Sequence, residues 1–165
     1  EGLQFRGETI DLNVTRGRLI LNGEYHIKNR TNASMATHMA YPFPEDPRYS
    51  YPDVIDVTGA ELVRRGKRQA VALPLKPHEE RTFNVHYEQN FTGCSAAYIL
   101  KTTQAWGEPL EFGKYSITWP AAWKDVRPSY RGERSTTDGM TTLSFQRTDF
   151  LPALDLELSW TCPPE

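Results

Sequence analysis

The sequence has 165 residues, of which 38% are hydrophobic, 12% aromatic and 24% charged, with a formal net charge of −2. This composition excludes a disordered chain, and the balanced charge excludes the basic surface with which proteins bind nucleic acids. No apolar run approaches the roughly 18–20 residues that span a bilayer, so any membrane attachment would use segments absent from this chain. The chain begins at Glu1 rather than Met, which favours a processed product or an excised segment.

Apolar and polar residues alternate with a period of two through most of the chain, which predicts β-strands because successive side chains of a strand point to opposite faces. The pattern is clearest in residues 18–28, 81–89 and 154–160. Further strands are predicted at residues 9–14, 35–41, 54–57, 61–63, 69–73, 96–106, 112–119, 130–136 and 140–147.

Turn residues separate these segments. Asp138-Gly139 suits a type I′ hairpin turn between two strands rich in Ser and Thr. Four prolines between residues 42 and 52 mark the longest loop. A single helical turn is predicted near residues 121–124. Further hairpin tips are predicted at Arg16-Gly17 and Gly66-Lys67.

About eleven short strands without crossover helices predict an all-β fold, an antiparallel β-sandwich of immunoglobulin-like type. We expect a single domain over residues 1–165, because no Gly/Ser/Pro linker divides the chain. The alternative is an immunoglobulin-like sandwich over residues 1–92 with a second β-subdomain, residues 93–165, packed on it.

Three segments carry a family resemblance. They are Tyr41-Pro42-Phe43-Pro44, the stretch YILKTTQAWGEPLE at residues 98–111, and Asp149-Phe150-Leu151-Pro152 with the alternating strand that follows. Together they resemble a group of uncharacterised bacterial and archaeal extracytoplasmic β-domains, although Lys101 stands where that group has Thr. The resemblance implies a β-sandwich outside the cytoplasm and implies no activity.

The two cysteines, Cys94 and Cys162, match no zinc-ligand spacing. Two interpretations remain open. The cysteines form one disulfide, which would suit an extracytoplasmic domain, or they are separate thiols, at least one of them packed as a small apolar residue.

No motif for catalysis is present, so we expect no enzyme activity, no cofactor and no metal site. A Gly-x-Ser-x-Gly elbow is absent, and neither cysteine has a catalytic context. His26 and His86 are expected on polar strand faces. Asp155 and Glu157 alternate with leucines as a solvated face. A calcium site formed by Glu45, Asp46, Asp53 and Asp56 is the weaker alternative.

Aromatic residues in predicted loops are the candidate binding residues. Such side chains form sugar platforms or protein contacts, or they close the ends of a sandwich, and both interpretations remain. Trp119 and Trp160 are expected in the core or at its rim. The candidate binding residues are Trp106, Trp123, Tyr130, Tyr49 and Tyr51.

Four glycosylation sequons begin at Asn13, Asn29, Asn32 and Asn90. They fit a secreted eukaryotic surface, or they are accidental if the parent protein is prokaryotic, as the resemblance favours. The sequence therefore predicts a non-catalytic ectodomain, secreted or membrane-tethered, that binds a partner or acts as a spacer. The alternative is a carbohydrate- or peptide-binding module. Another protein or a glycan is the expected partner, and nucleic acid is not.

Overall fold

The computed structural model describes residues 2–44, 46–66, 68–100 and 106–164. Within these ranges the protein is all-β, as predicted, and contains no α-helix. The thirteen strands are β1 (Leu3–Thr15), β2 (Arg18–Asn29), β3 (Met35–Ala40), β4 (Val54–Thr58), β5 (Glu61–Arg65), β6 (Arg68–Leu75), β7 (Glu80–Asn90), β8 (Ser95–Tyr98), β9 (Leu110–Pro120), β10 (Arg127–Pro128), β11 (Glu133–Thr137), β12 (Met140–Phe150) and β13 (Leu156–Ser159).

The strands form one large sheet and two small ones. The large sheet has the order β11-β12-β9-β1-β2-β7-β4, and the small sheets have the orders β3-β6-β5 and β10-β13-β8. The long strands β2 and β7 bury every second side chain, as their alternation predicts. Buried residues of all three sheets belong to a single hydrophobic core, and each large side chain there contributes about 1.5–3 kcal/mol by its burial.

The large sheet is mixed rather than purely antiparallel, so the predicted antiparallel arrangement is wrong at one strand pair. β1 runs parallel to β9, from Gly7 opposite Phe112 to Asn13 opposite Thr118. Parallel neighbours need a long crossover, and here the chain passes through β2 to β8 between them. The side chains of a strand alternate between the two faces of the sheet whether its neighbour is parallel or antiparallel. The sequence pattern therefore does not reveal this parallel pair. The immunoglobulin-like type stays a prediction.

Two local predictions have clear outcomes. Asp138 and Gly139 both have positive φ, 52° and 76°, in the turn between β11 and β12, as the type I′ prediction requires. The helical turn predicted near residues 121–124 is wrong. The chain makes a hydrogen-bonded turn there, in which the amide of Trp123 donates to the carbonyl of Pro120 at 3.1 Å. Lys67 lies outside the described residues.

Cys94 and Cys162 form a disulfide with a Cα–Cα distance of 5.5 Å, so the paired interpretation is confirmed. Cys94 precedes β8 and Cys162 follows β13, and these two strands are neighbours in one small sheet. The bond therefore ties the C-terminal segment to the middle of the chain.

Candidate functional site

A cavity of about 780 Å³ lies between the inner face of the large sheet and the ends of β3 and β8. Its size is within the range of small-molecule sites. Five aromatic side chains and one buried carboxyl group contribute to its walls. The described lining residues are Leu3, Phe5, Glu8, Tyr25, Arg30, Thr37, Met39, Ala40, Tyr41, Pro42, Tyr98, Ile99, Trp106 and Glu108.

Glu8 supplies the buried carboxyl group, and its side chain is only 2% exposed. A register shift in β1 between Phe5 and Gly7 changes the phase of the strand, so that Phe5 and Glu8 are both buried. The hydroxyl of Tyr115 donates to Glu8 Oε1 at 2.7 Å. Burial raises the pKa of Glu8 to about 7, against the opposing effect of this hydrogen bond.

Two Gly-x-Tyr sequences shape the surroundings of Glu8. On one side Glu8 lies opposite Tyr25 of β2, and on the other side opposite Gly113 of β9. A Cβ atom on Gly113 would lie 2.6 Å from the ring of Tyr115, and a Cβ atom on Gly23 would clash with Tyr25 in the same way. Both glycines therefore let a tyrosine ring lie back over its own strand, beside the carboxyl group.

Three tyrosine hydroxyls meet at the cavity. Tyr25 Oη lies 2.6 Å from Tyr41 Oη and 2.7 Å from Tyr98 Oη. Burial raises the pKa of all three hydroxyls well above the ordinary value, and the charge of Glu8 raises the pKa of Tyr25 and Tyr98 further. The tyrosines are therefore neutral at physiological pH and can both donate and accept hydrogen bonds.

Residues after β2 and before β9 form the cavity mouth. Arg30 donates to Glu108 at 3.1 Å, and both side chains are substantially exposed. The ring of Trp106 lies 6.2 Å from that of Phe5, centroid to centroid. Trp106 is thus the predicted binding residue that the structure places in the cavity.

The other predicted aromatic residues lie elsewhere and do not form one platform. Trp123 stacks on Trp160 with centroids 4.1 Å apart, close in sequence to Cys162. Tyr49 packs on Phe91, which in turn contacts Trp160. These residues close one end of the core.

Tyr51 and Tyr130 occupy two further places. Tyr51 is 42% exposed, and the guanidinium of Arg64 lies 4.2 Å from the centroid of its ring. Tyr130 stacks on Phe145, and its hydroxyl donates to the carbonyl of Leu154 at 2.6 Å. Trp119 is in the core and Trp160 is partly buried against it, as predicted.

The histidines and carboxylates considered for metal binding are dispersed. His26 contacts Glu24 and His86 contacts Glu88, each two residues away on its own strand. Across residues 2–44, 46–66, 68–100 and 106–164, no three His, Cys, Asp or Glu side chains come together as a metal site. Glu45 of the weaker calcium hypothesis lies outside these ranges.

Sequence reasoning missed Glu8 and the tyrosines around it. Glu8 has the same strand parity as the buried residues Ile10, Leu12 and Val14, so a continued alternation would have placed it inside. The two Gly-x-Tyr sequences were a second available signal. Two resemblance segments, those containing Tyr41 and Tyr98, meet at this cavity.

Comparison with solved structures shows the fold alone. A candidate nutrient binding protein from Legionella pneumophila superposes with a TM-score of 0.71 at 14% identity, over 96% of this chain and 67% of that one. An M1 zinc metallopeptidase from Deinococcus radiodurans gives a TM-score of 0.58 at 15% identity, over 96% of this chain. This chain spans 42% of the peptidase.

No family model matches the sequence, and no curated protein matches it. Among the described residues, none forms a helix with the length and apolar character needed to cross a membrane.

Proposed function

We propose that the protein is a non-catalytic binding domain that works outside the cytoplasm and holds a small organic ligand in the Glu8 cavity. The cavity itself carries this proposal. It combines apolar and aromatic walls with a few converging polar groups, which is the usual composition of a ligand site.

The polar groups of the cavity suit binding better than turnover. Glu8 could exchange a proton near neutral pH, but catalysis also needs a nucleophile or a group that stabilises developing charge. The raised pKa values of Tyr25, Tyr41 and Tyr98 make these hydroxyls poor nucleophiles. Arg30 is the cation among the described lining residues, and it is paired with Glu108.

The disulfide supports the proposed location, because such bonds persist in oxidising compartments and are rare in the cytosol. The resemblance to extracytoplasmic β-domains supports the same location. The Legionella neighbour, named as a candidate nutrient binding protein, supports ligand binding. The match covers 42% of the peptidase neighbour, so the proposed binding domain could also act as one domain of a longer protein.

A pocket-filling variant tests the proposal. Thr37 lines the cavity and is half-buried, whereas its neighbour His38 is exposed on the opposite face of β3. We expect at least one of three probes, benzylammonium, benzyl alcohol or benzoate, to raise the melting temperature of the wild type and of His38→Trp. Thr37→Trp should remove that increase, and Thr37→Phe serves as a smaller replacement if the Trp variant does not fold.

Two results would contradict the proposal. One is a melting temperature that none of the three probes changes. The other is an increase that survives in both Thr37 variants, since the probe would then bind elsewhere.

A further inference from the structure

We propose that the ligand of this cavity is a small organic ammonium cation, with the Glu8 carboxylate as its counter-charge and the surrounding aromatic rings as its walls. This inference rests on the proposed function, since it names the class of molecule that the same cavity would hold.

The first reason is that the fold leaves the carboxylate of Glu8 without a cationic partner. Tyr115 donates to one oxygen at 2.7 Å, and no ion pair joins Glu8 to an Arg, Lys or His among the described residues. Arg30 shares the cavity but contacts Glu108 at 3.1 Å. A buried carboxylate needs a compensating charge to stay ionised, and a bound cation would supply it.

The second reason is the excess of acceptor atoms. An ammonium group has three N–H donors and no acceptor. Glu8 contributes two carboxylate oxygens, and the hydroxyl oxygen of Tyr25 lies 2.6 Å from that of Tyr41 and 2.7 Å from that of Tyr98. Glu8, Tyr25, Tyr41 and Tyr98 all line the same cavity, and Glu8 lies directly opposite Tyr25 in the β1–β2 pair.

The third reason is the aromatic wall. The ring centroid of Phe5 lies 6.2 Å from that of Tyr25 and 6.2 Å from that of Trp106, and all three residues line the cavity. A cation within about 6 Å of such ring faces is attracted by their quadrupoles, and the attraction grows when water is excluded. The polar end of the ligand would therefore meet Glu8 while its remainder packs against the rings.

Other ligand classes fit less well. A carboxylate or phosphate would be repelled by ionised Glu8. A neutral alcohol or sugar could use the hydroxyl groups, but its affinity would not depend on the charge of Glu8. The test below distinguishes the ammonium cation from these two classes.

The affinity should also depend on pH through Glu8. The pKa of Glu8 is about 7, whereas burial raises the pKa values of the tyrosines that line the cavity or contact Glu8, so these stay neutral. Arg30 and Glu108 are the charged groups at the mouth. These tyrosines are Tyr25, Tyr41, Tyr98 and Tyr115.

Calorimetric titration of the whole chain with benzylammonium, benzyl alcohol and benzoate, at pH 6 and pH 8, tests the inference. At pH 8 we expect the wild type to bind benzylammonium at least about tenfold more tightly than benzyl alcohol, and Glu8→Gln to lose this preference while keeping its affinity for the alcohol. The affinity of the wild type for the ammonium should rise about tenfold from pH 6 to pH 8. Glu133→Gln, an exposed residue of β11, should behave as the wild type does.

Equal affinities for the two probes, tighter binding of benzoate, or a preference that persists in Glu8→Gln would overturn the ammonium assignment and leave the cavity as a binding site. The absence of binding by any of the three probes would overturn both the assignment and the proposed function.

Discussion

At the scale of single residues, the proton of Glu8 is coupled to folding. Burial raises its pKa from 4.5 to about 7, so between these values the folded state binds more protons than the unfolded state. Stability must then fall as pH rises through this window, and the loss is complete above the folded pKa. The difference between 4.5 and about 7 corresponds to about 3 kcal/mol.

We therefore predict that the free energy of unfolding of the ligand-free wild type decreases between pH 5 and pH 8 by about 2–3 kcal/mol more than that of Glu8→Gln. Urea unfolding at the two pH values measures this. The other ionisable groups are the same in both proteins, so their contribution cancels in the comparison. Parallel pH profiles for the two proteins would show that Glu8 does not titrate in this way.

Asn29 shows how one buried amide holds a loop. It is fully buried, and its nitrogen donates to the carbonyls of Ala33 and Lys76 at 2.8 and 2.9 Å. Its oxygen accepts from the amide and the hydroxyl of Thr31. The side chain of this sequon is therefore occupied by structural hydrogen bonds.

Asn29→Ala should lower the free energy of unfolding by about 3 kcal/mol, because it leaves several buried groups without partners. Asn32→Ala is the matched control, since Asn32 begins the next sequon but is exposed, and it should cost less than about 1 kcal/mol. Chemical unfolding measures the free energy of unfolding of both variants. Similar losses in the two variants would show that the burial of Asn29 does not make it more important for stability than Asn32.

At the scale of strands, alternation predicts β2, β7 and β9 well because each buries one face continuously. It fails where other forces act. Of the strand predicted at residues 96–106, β8 ends at Tyr98, and neither residues 99–100 nor Trp106 are in a strand; residues 101–105 lie outside the described ranges. Glu8 was missed because the predicted strand at residues 9–14 stops one residue short of it, although Glu8 is in phase with the buried residues Ile10 and Leu12. Strand order and direction depend on contacts distant in sequence, which a local pattern does not contain.

Gly113 in β9 tests how the Gly-x-Tyr sequences build the site. Gly113→Ala places a methyl group against the Tyr115 ring, so we expect a loss of about 1–3 kcal/mol of stability from overpacking. Displacement of Tyr115 would also weaken its hydrogen bond to Glu8, which normally lowers the pKa of that carboxyl group. The pH-dependent loss of stability should therefore shift to higher pH.

Urea unfolding across the pH range measures both effects of Gly113→Ala. The control is Lys114→Ala, because Lys114 is the next residue of β9 and is exposed. Wild-type stability in Gly113→Ala would show that Tyr115 does not need the space above this glycine.

The disulfide belongs to the same scale, since it links the segments flanking β8 and β13. The two cysteines are 68 residues apart, and closing a loop of that length stabilises a fold by about 4 kcal/mol in the chain-entropy treatment. We predict that the double variant Cys94→Ser/Cys162→Ser has a free energy of unfolding lower than that of the wild type by up to about 4 kcal/mol. Amide hydrogen exchange should lose protection in β8, β10 and β13 before it does so in β1 and β2, whereas uniform loss would show that the bond stabilises the molecule as a unit.

At the scale of the whole molecule, the large sheet takes strands from both sides of residue 93. β1, β2, β4 and β7 precede that residue, and β9, β11 and β12 follow it. The parallel pair β1–β9 joins the two groups at the centre of the sheet. The Glu8 site is also built from both parts of the chain. Glu8, Tyr25 and Tyr41 come from the first part, and Tyr98, Trp106 and Tyr115 come from the second.

This arrangement makes the division into residues 1–92 and 93–165 testable. Separated fragments would expose the paired edges of β1 and β9 and the buried residues beneath them, and an unpaired, apolar strand edge is unstable in water. We predict that neither fragment alone unfolds cooperatively in urea, as followed by circular dichroism, while the full chain does. Cooperative unfolding of residues 1–92 alone would favour two units. In that case the first unit would be stable without β9, and the cavity would form only where the second unit docks on it.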